Sequence, residues 1–179
     1  IGERNIAGAV ELLLAAGKDE NRRVRLESYR GLRIVAQPQD MPALVNLLLE
    51  TKNEADRGEV EKMVAAVAHK IADPELQAAA VQAVLPNVKE AADRASLLRV
   101  LGRIGNSNSL PTLRAALSSR EAEVQDAALR ALSDWPTAEP APDLLKVAQT
   151  SDNQVHKVLA LRGFVRLLGL DSDRPADQT

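Results

Sequence analysis

Four arginines stand in matching surroundings: Tyr29-Arg30-Gly31-Leu32, Leu98-Arg99-Val100-Leu101, Leu129-Arg130-Ala131-Leu132 and Leu161-Arg162-Gly163-Phe164. A guanidinium offers a planar fork of donors that fits a carboxylate through two parallel hydrogen bonds. A row of them is chemistry for holding acidic groups rather than for transforming them. The intervals between these arginines are 69, 31 and 32 residues. The long interval spans two periods, which places a missing copy near Ala66, in Met63-Val64-Ala65-Ala66-Val67, with alanine in place of the arginine. Two roles are open to the row. As a binding stripe, Arg30, Arg99, Arg130 and Arg162 would stand one repeat, or about 10 Å, apart, as packed helices do, with Arg25, Arg33, Arg103 and Arg166 widening it. As internal ties, each would join one repeat to the next by pairing with Asp93, Asp126 or a loop carbonyl, because stacked arrays are held together at such contacts.

The remaining reactive side chains do not assemble into a reaction. His69 and His156 are the only histidines and fall on different helical hairpins, so no two-histidine zinc spacing exists; surface or capping positions are expected for both. Glu59 with Glu61, and Glu121 with Glu123, are two apart on helices and so diverge, as solvated charges do. Trp135 precedes Pro136 at a helix end and is expected to plug the space between the fourth and fifth hairpins. No glycine-rich phosphate loop, Ser-His-Asp set or cofactor fingerprint occurs. The expectation is a chain without catalysis, cofactor or metal. With no cysteine there is neither a disulfide framework nor a thiolate ligand, which leaves cytoplasm and periplasm equally open.

Composition narrows the classes further. A net charge of -2 from 23 basic and 25 acidic residues supplies no overall field toward nucleic acid or anionic lipid. One Trp, one Tyr and one Phe leave little for stacking bases, and hand the core to Leu, Val, Ile and Ala. The apolar runs are far shorter than the roughly 20 residues of a membrane span, so a soluble protein is expected. Residues 1–16 carry no signal-peptide pattern, and Ile1 in first place leads to the expectation of a segment cut from a longer protein.

The elements that must position these side chains are helices throughout. Residues 5–16 place Ile6, Ala9, Val10, Leu13 and Leu14 at helical spacing and end on Gly17, suited to a left-handed C-terminal position. Residues 22–36 carry Val24, Ser28, Leu32 and Val35 on one stripe and stop at Gln37-Pro38. The second hairpin opens at Asp40-Met41-Pro42 and returns over residues 55–72. The third opens at Asp73-Pro74, is broken by Pro86 and returns over residues 90–104. The fourth opens at Ser109-Leu110-Pro111 and returns over residues 121–133; a proline-rich loop, residues 134–142, leads to the fifth, residues 143–149 and 152–168. Starting points at Asp40, Asp73, Ser109 and Ala141 are 33, 36 and 32 residues apart. A period in the low thirties built only of helical pattern means stacked helical hairpins. The expected fold is all-α, a right-handed α-solenoid of about five antiparallel hairpins over residues 1–170, with residues 171–179 as a disordered tail or linker.

Lys18-Asp19-Glu20-Asn21-Arg22-Arg23-Val24-Arg25, followed by Ser28, Gly31 and Leu32, resembles the second-helix signature of HEAT repeats. There an aspartate precedes Val-Arg by a short turn, and small residues alternate with leucine. Val124-Gln125 with Ala128, Ala131 and Leu132 is similar, although Ser119 and Gln125 replace the aspartate and the arginine. The short period makes the set resemble the bacterial phycobilisome-lyase-type HEAT-like repeats. The segment from Ala131-Leu132-Ser133-Asp134-Trp135-Pro136 to Phe164 is similar to HEAT segments inside large multidomain bacterial proteins. The resemblance implies a scaffolding module, a piece of a larger bacterial protein, that binds a protein partner through its concave face. It also leaves open a bilin-lyase-like enzyme and a nucleic-acid-binding protein. The first would need a stacked aromatic or a nucleophile in a pocket, and the second a strongly basic face with aromatics. The first helix lacks a polar repeat before it, which implies either a monomer within a parent chain or a weak dimer through that end.

Overall fold

The computed structural model of the chain describes residues 3–170, with side chains from residue 8 onward. The side chain of Ile6 and the expected tail, residues 171–179, lie outside the described residues. Ten α-helices and no strand occur among those described, the all-α class of stacked helical hairpins that the pattern predicts. The chain divides into two compact units, Ile1–Lys89 and Glu90–Thr179.

In the first unit, α1 (Glu3–Ala16) pairs with α2 (Arg22–Val35), and α3 (Met41–Glu50) pairs with α4 (Glu54–Ala68). Second helix packs on second helix, α2 on α4, while α3 touches both α1 and the short α5 (Ala79–Val84). Pro86 explains why α5 is short: lacking a donor and clashing with the preceding turn, it leaves only a 3-10 turn, Leu85–Asn87, after Val84. Leu32, Leu44, Leu48, Val60, Met63 and Val64 fill the core.

In the second unit, α7 (Leu110–Ala116) pairs with α8 (Ala122–Ser133) and α9 (Ala141–Thr150) with α10 (Gln154–Leu168). Helix α8 is flanked by α6 (Ala91–Ile104) and α10. The apolar centre is Leu97, Leu101, Leu113, Leu129, Leu132 and Trp135. Helices in this unit approach closely because small residues meet where they cross. A Cβ on Gly102 would come within 2.5 Å of the Ala131 methyl, and one on Gly163 within 2.5 Å of Ser133 Oγ.

The second helix of each pair begins behind an amide or carboxylate. Asn21, Asn53 and Asn153 each accept hydrogen bonds from backbone N–H groups of the first turn, which satisfies donors that the helix itself cannot. Glu90 and Glu121 hold the same place before α6 and α8. One glycine behaves otherwise than its position suggests. Only Gly105 has a positive φ, 67°, among the described residues, so Gly17 is not in the left-handed region. Its smallness serves packing instead, since a Cβ there would meet Tyr29 Cε1 at 3.2 Å and Leu47 Cδ2 at 3.3 Å.

Candidate interaction surface

The N-cap residues give the second helices a common register. Arg30, Arg99, Arg130 and Arg162 each lie nine residues after Asn21, Glu90, Glu121 and Asn153 respectively. The same count from Asn53 lands on Lys62. The missing copy is therefore Lys62 and not Ala66, which lies one turn later and is half-buried. The displacement arose because four residues is nearly one helical turn, so the apolar pattern around Ala66 imitates that around the true position. Lys62, Arg30, Arg130 and Arg162 are exposed, and Arg99 is half-buried.

Most of the internal tying falls to a different register position, five residues nearer the N-terminus, occupied by Arg25, Arg57, Arg94, Gln125 and Lys157. Arg25 Nη1 donates to the carbonyls of Asp19 and Glu20 at 2.8 and 2.9 Å, in the turn of its own hairpin. Arg57 Nε does the same to Thr51 O at 3.1 Å and Gln125 Nε2 to Leu117 O at 2.8 Å. Gln125 thus performs with an amide what the arginines do with a guanidinium. Arg25 Nε also reaches Asp56 Oδ2 at 2.7 Å, and Arg22 Nε reaches Asp56 Oδ1 at 2.9 Å, joining α2 to α4. The carboxylate of Asp56 is 0% exposed, and its hydrogen bond holds the Arg25 guanidinium above the ordinary arginine range. Arg94 pairs with Glu121 between α6 and the start of α8, and Arg114 Nε with Asp143 at 2.8 Å between α7 and α9.

By contrast, three members of the row nine residues in are paired within their own helices. Arg30 Nη1 meets Glu27 at 2.5 Å, Lys62 meets Glu59 at 2.7 Å, and Arg130 Nε meets Asp126 at 2.7 Å. These are surface pairs one turn apart, not bridges between repeats. Asp126 raises the Arg130 pKa by hydrogen bonding to it, and Lys62 holds the Glu59 carboxyl below its ordinary value by the same means. Of the arginines that could widen the row, Arg25 is committed to Asp56. Arg166 donates from Nε to Ser133 O at 2.8 Å and from its Nη2 to Trp135 O, joining α10 to the end of α8. Arg33 is exposed.

Several side chains stand elsewhere than the sequence predicts. His156 is buried at 6% exposure, its Nε2 3.9 Å from Asp126 Oδ1, because the face of α10 that carries it is the face packed on α8. His69 does occupy a cap, the C-terminal one of α4. Glu61 is buried rather than solvated, since a residue two positions from the half-buried Glu59 turns to the inner side of α4. Trp135 is fully buried as the plug at the end of α8. Tyr29, which the apolar stripe of residues 22–36 does not include, is buried and donates its hydroxyl to Gly17 O at 2.9 Å; its place directly before Arg30 hides an apolar position behind a charged one. Burial lifts its phenol above the usual pKa.

Two concavities bear on chemistry. One of about 260 Å³ in the first unit is lined by Asp19, Arg25, Tyr29, Glu50 and Asp56 among others. Its acids and cations pair with each other, Lys18 Nζ with Glu50 at 2.6 Å and Arg25 with Asp56, and its phenol is already bonded. The other, about 340 Å³ in the second unit, is lined by Arg130, Gln154, Val155, Val158, Leu159 and Arg162. It is apolar with two cations at its edge, a shape for a side chain to enter rather than for a proton to move. Among the described residues no group of three acids or histidines could hold a metal ion, and no helix is long and apolar enough to cross a membrane. A family model described as HEAT repeats matches residues 63–162, more than half of the chain. No curated protein matches it.

Proposed function

Since the chain belongs to the HEAT repeat family, we propose that it is a non-catalytic protein-interaction module whose second unit binds an acidic partner across α6, α8 and α10. Repeats of this family are generally interaction scaffolds, and a stack of hairpins exposes much surface per residue. The observation that carries the reading is the common register of Arg99, Arg130 and Arg162 on three helices packed side by side. Packed helix axes lie about 8–10 Å apart, so three guanidiniums at one level give a ladder suited to successive carboxylates on one extended or helical segment. This is the face that lines the concave side in such arrays. Most of the internal tying is done elsewhere, by Arg25, Arg94, Arg114 and Arg166, which supports an external task for the exposed Arg130 and Arg162.

The test is a pull-down from native lysate with the wild-type chain and an Arg99→Glu/Arg130→Glu variant, with circular dichroism melts of both. The expected result is a partner held by wild type and lost by a variant that melts within a few degrees of it. A variant that melts far lower, with neither protein capturing a partner, would overturn the reading and return these arginines to structural duty.

A further inference from the structure

Helix α10 carries an apolar face that its own unit does not cover. In α8 the positions eight and twelve residues after the N-cap, Leu129 and Ser133, are 0% and 4% exposed, and α10 packs there. The same positions of α10 are Leu161 and Val165, exposed at 52% and 61%. Val158 and Leu168 continue the stripe, and at 100° per residue all four fall within one side of the helix, roughly opposite His156, Ala160 and Leu167. Arg162 flanks the stripe on one side and Lys157 on the other, and no Asp or Glu occurs anywhere in Gln154–Leu168. At the Arg162 edge the stripe opens into the groove of about 340 Å³ shared with Val155, Leu159 and Arg130.

We propose that this face of α10 docks an acidic amphipathic helix of a partner protein, its apolar residues on Val158, Leu161 and Val165 and its flanking carboxylates on Arg162 and Lys157. The proposal rests on the interaction reading above and names the chemistry of the partner. Charge decides between occupants. A second copy seated α10 on α10 would set Lys157 and Arg162 against their own counterparts, and like charges across an interface are unfavourable. Another hairpin could not approach α10 as closely as α10 approaches α8, because Val165 stands where α6 has Gly102 and α8 has Ser133. Residues 171–179 contain no Leu, Ile, Val or aromatic residue and cannot fill the stripe. What fits is a separate helix at ordinary interaxial distance, ridges set into grooves, with carboxylates on its shoulders.

The probe is a designed helical peptide with leucines at i, i+4 and i+7 and glutamates flanking them, compared with a twin in which lysines replace the glutamates. Binding to the 179-residue chain is read by fluorescence anisotropy, and the buried Trp135 reports that each variant is folded. The acidic peptide is expected to bind at least about tenfold tighter than its twin. Val165→Glu should weaken the acidic peptide by about tenfold or more, and Arg162→Glu should invert the preference between the two peptides. Equal binding of both peptides, absence of binding, or binding indifferent to Val165→Glu overturns the proposal. So does capture of the wild-type chain by phosphatidylserine vesicles that Val165→Glu abolishes, or a wild-type dimer in sedimentation that Val165→Glu dissolves. A native partner lost by the Arg99→Glu/Arg130→Glu variant but kept by Val165→Glu would sink this docking site and leave the broader interaction reading standing.

Discussion

Replacing Gly163 by alanine tests the packing on which the α8 to α10 comparison depends. The methyl would arrive 2.5 Å from Ser133 Oγ, 2.7 Å from its Cβ and 2.9 Å from its Cα. The last of these is backbone, so no rotamer change relieves it, and α10 must move away from α8. Overpacking of this kind costs about 1–3 kcal/mol, and the backbone obstruction places it in the upper part of that range. Alanine returns about 1 kcal/mol of helix propensity. The net expectation is a loss of about 1–2 kcal/mol. Pairing it with Ser133→Gly removes the two nearer contacts, Oγ and Cβ, and leaves only the Cα at 2.9 Å for a small shift of α10 to relieve. The two changes should therefore couple favourably by about 1–2 kcal/mol, within the range seen for residues in contact. Urea unfolding followed by the fluorescence of Trp135, the single tryptophan and a fully buried one in this unit, measures all four proteins of the cycle. If Gly163→Ala is stabilising by about 1 kcal/mol and the cycle shows no coupling, propensity alone governs the site and the close approach of α8 and α10 is wrong.

Asp56→Asn keeps the shape of the side chain and removes the charge between Arg22 and Arg25; it should cost about 1.5–3 kcal/mol, the worth of hydrogen bonds to charged groups, whereas Arg130→Ala breaks an exposed pair worth less than about 1 kcal/mol. Thermal melts that rank the two the other way would contradict the division between tying and surface cations. Gly105→Ala meets both a φ of 67° and a Cβ 2.7 Å from Pro136 Cγ, so denaturant midpoints should fall by the equivalent of about 1–2 kcal/mol, and an unchanged midpoint would mean that the loop after α6 relaxes freely. The single tyrosine permits an alkaline titration at its own absorbance. Because burial raises the folded pKa of Tyr29, the protonated form is favoured by folding; its contribution is complete below the unfolded value of about 10 and is lost as pH rises through the folded value. Ionisation should lag behind that of free tyrosine and bring a loss of stability with it, and a normal titration of an intact fold would refute the burial.

Helix order was legible because apolar spacing and proline stops are local. Asp40-Met41-Pro42 and Ser109-Leu110-Pro111 mark α3 and α7, and Pro86 ends α5 within a turn of its place. What sequence spacing could not provide was phase. Ala66 and Lys62 differ by about one turn, and only the N-cap at Asn53 shows which of them shares a level with Arg30. Burial depends on which neighbour a face meets, which explains His156 and Glu61: each lies on the packed side of a helix whose charged neighbours lie outside. The proline-rich loop is two residues shorter than its composition predicts, because Ala141 and Pro142 already belong to the first turn of α9, where a missing donor is harmless. Glycine misleads where it serves packing rather than conformation, as Gly17 does against Tyr29 and Leu47.

The register also separates two tasks on a single helix. Positions four and nine after the N-cap are five residues, or about 140°, apart around the axis, so a cation at one can turn to the hairpin's own turn while a cation at the other faces water. At the outward position Arg30, Lys62 and Arg130 each have a carboxylate one turn earlier, Glu27, Glu59 and Asp126. Such pairs are weak, but an incoming acid must still displace one to reach Arg130. One turn before Arg162 stand Val158 and Leu159 instead, so an acid that reaches this guanidinium displaces no carboxylate on α10. The apolar stripe of α10 lies beside it. Under the proposed reading the strongest contribution to binding therefore belongs at the α10 end, where burial of apolar area coincides with a cation that has no carboxylate on its own helix, and Arg130 adds to it only as far as the partner outcompetes Asp126.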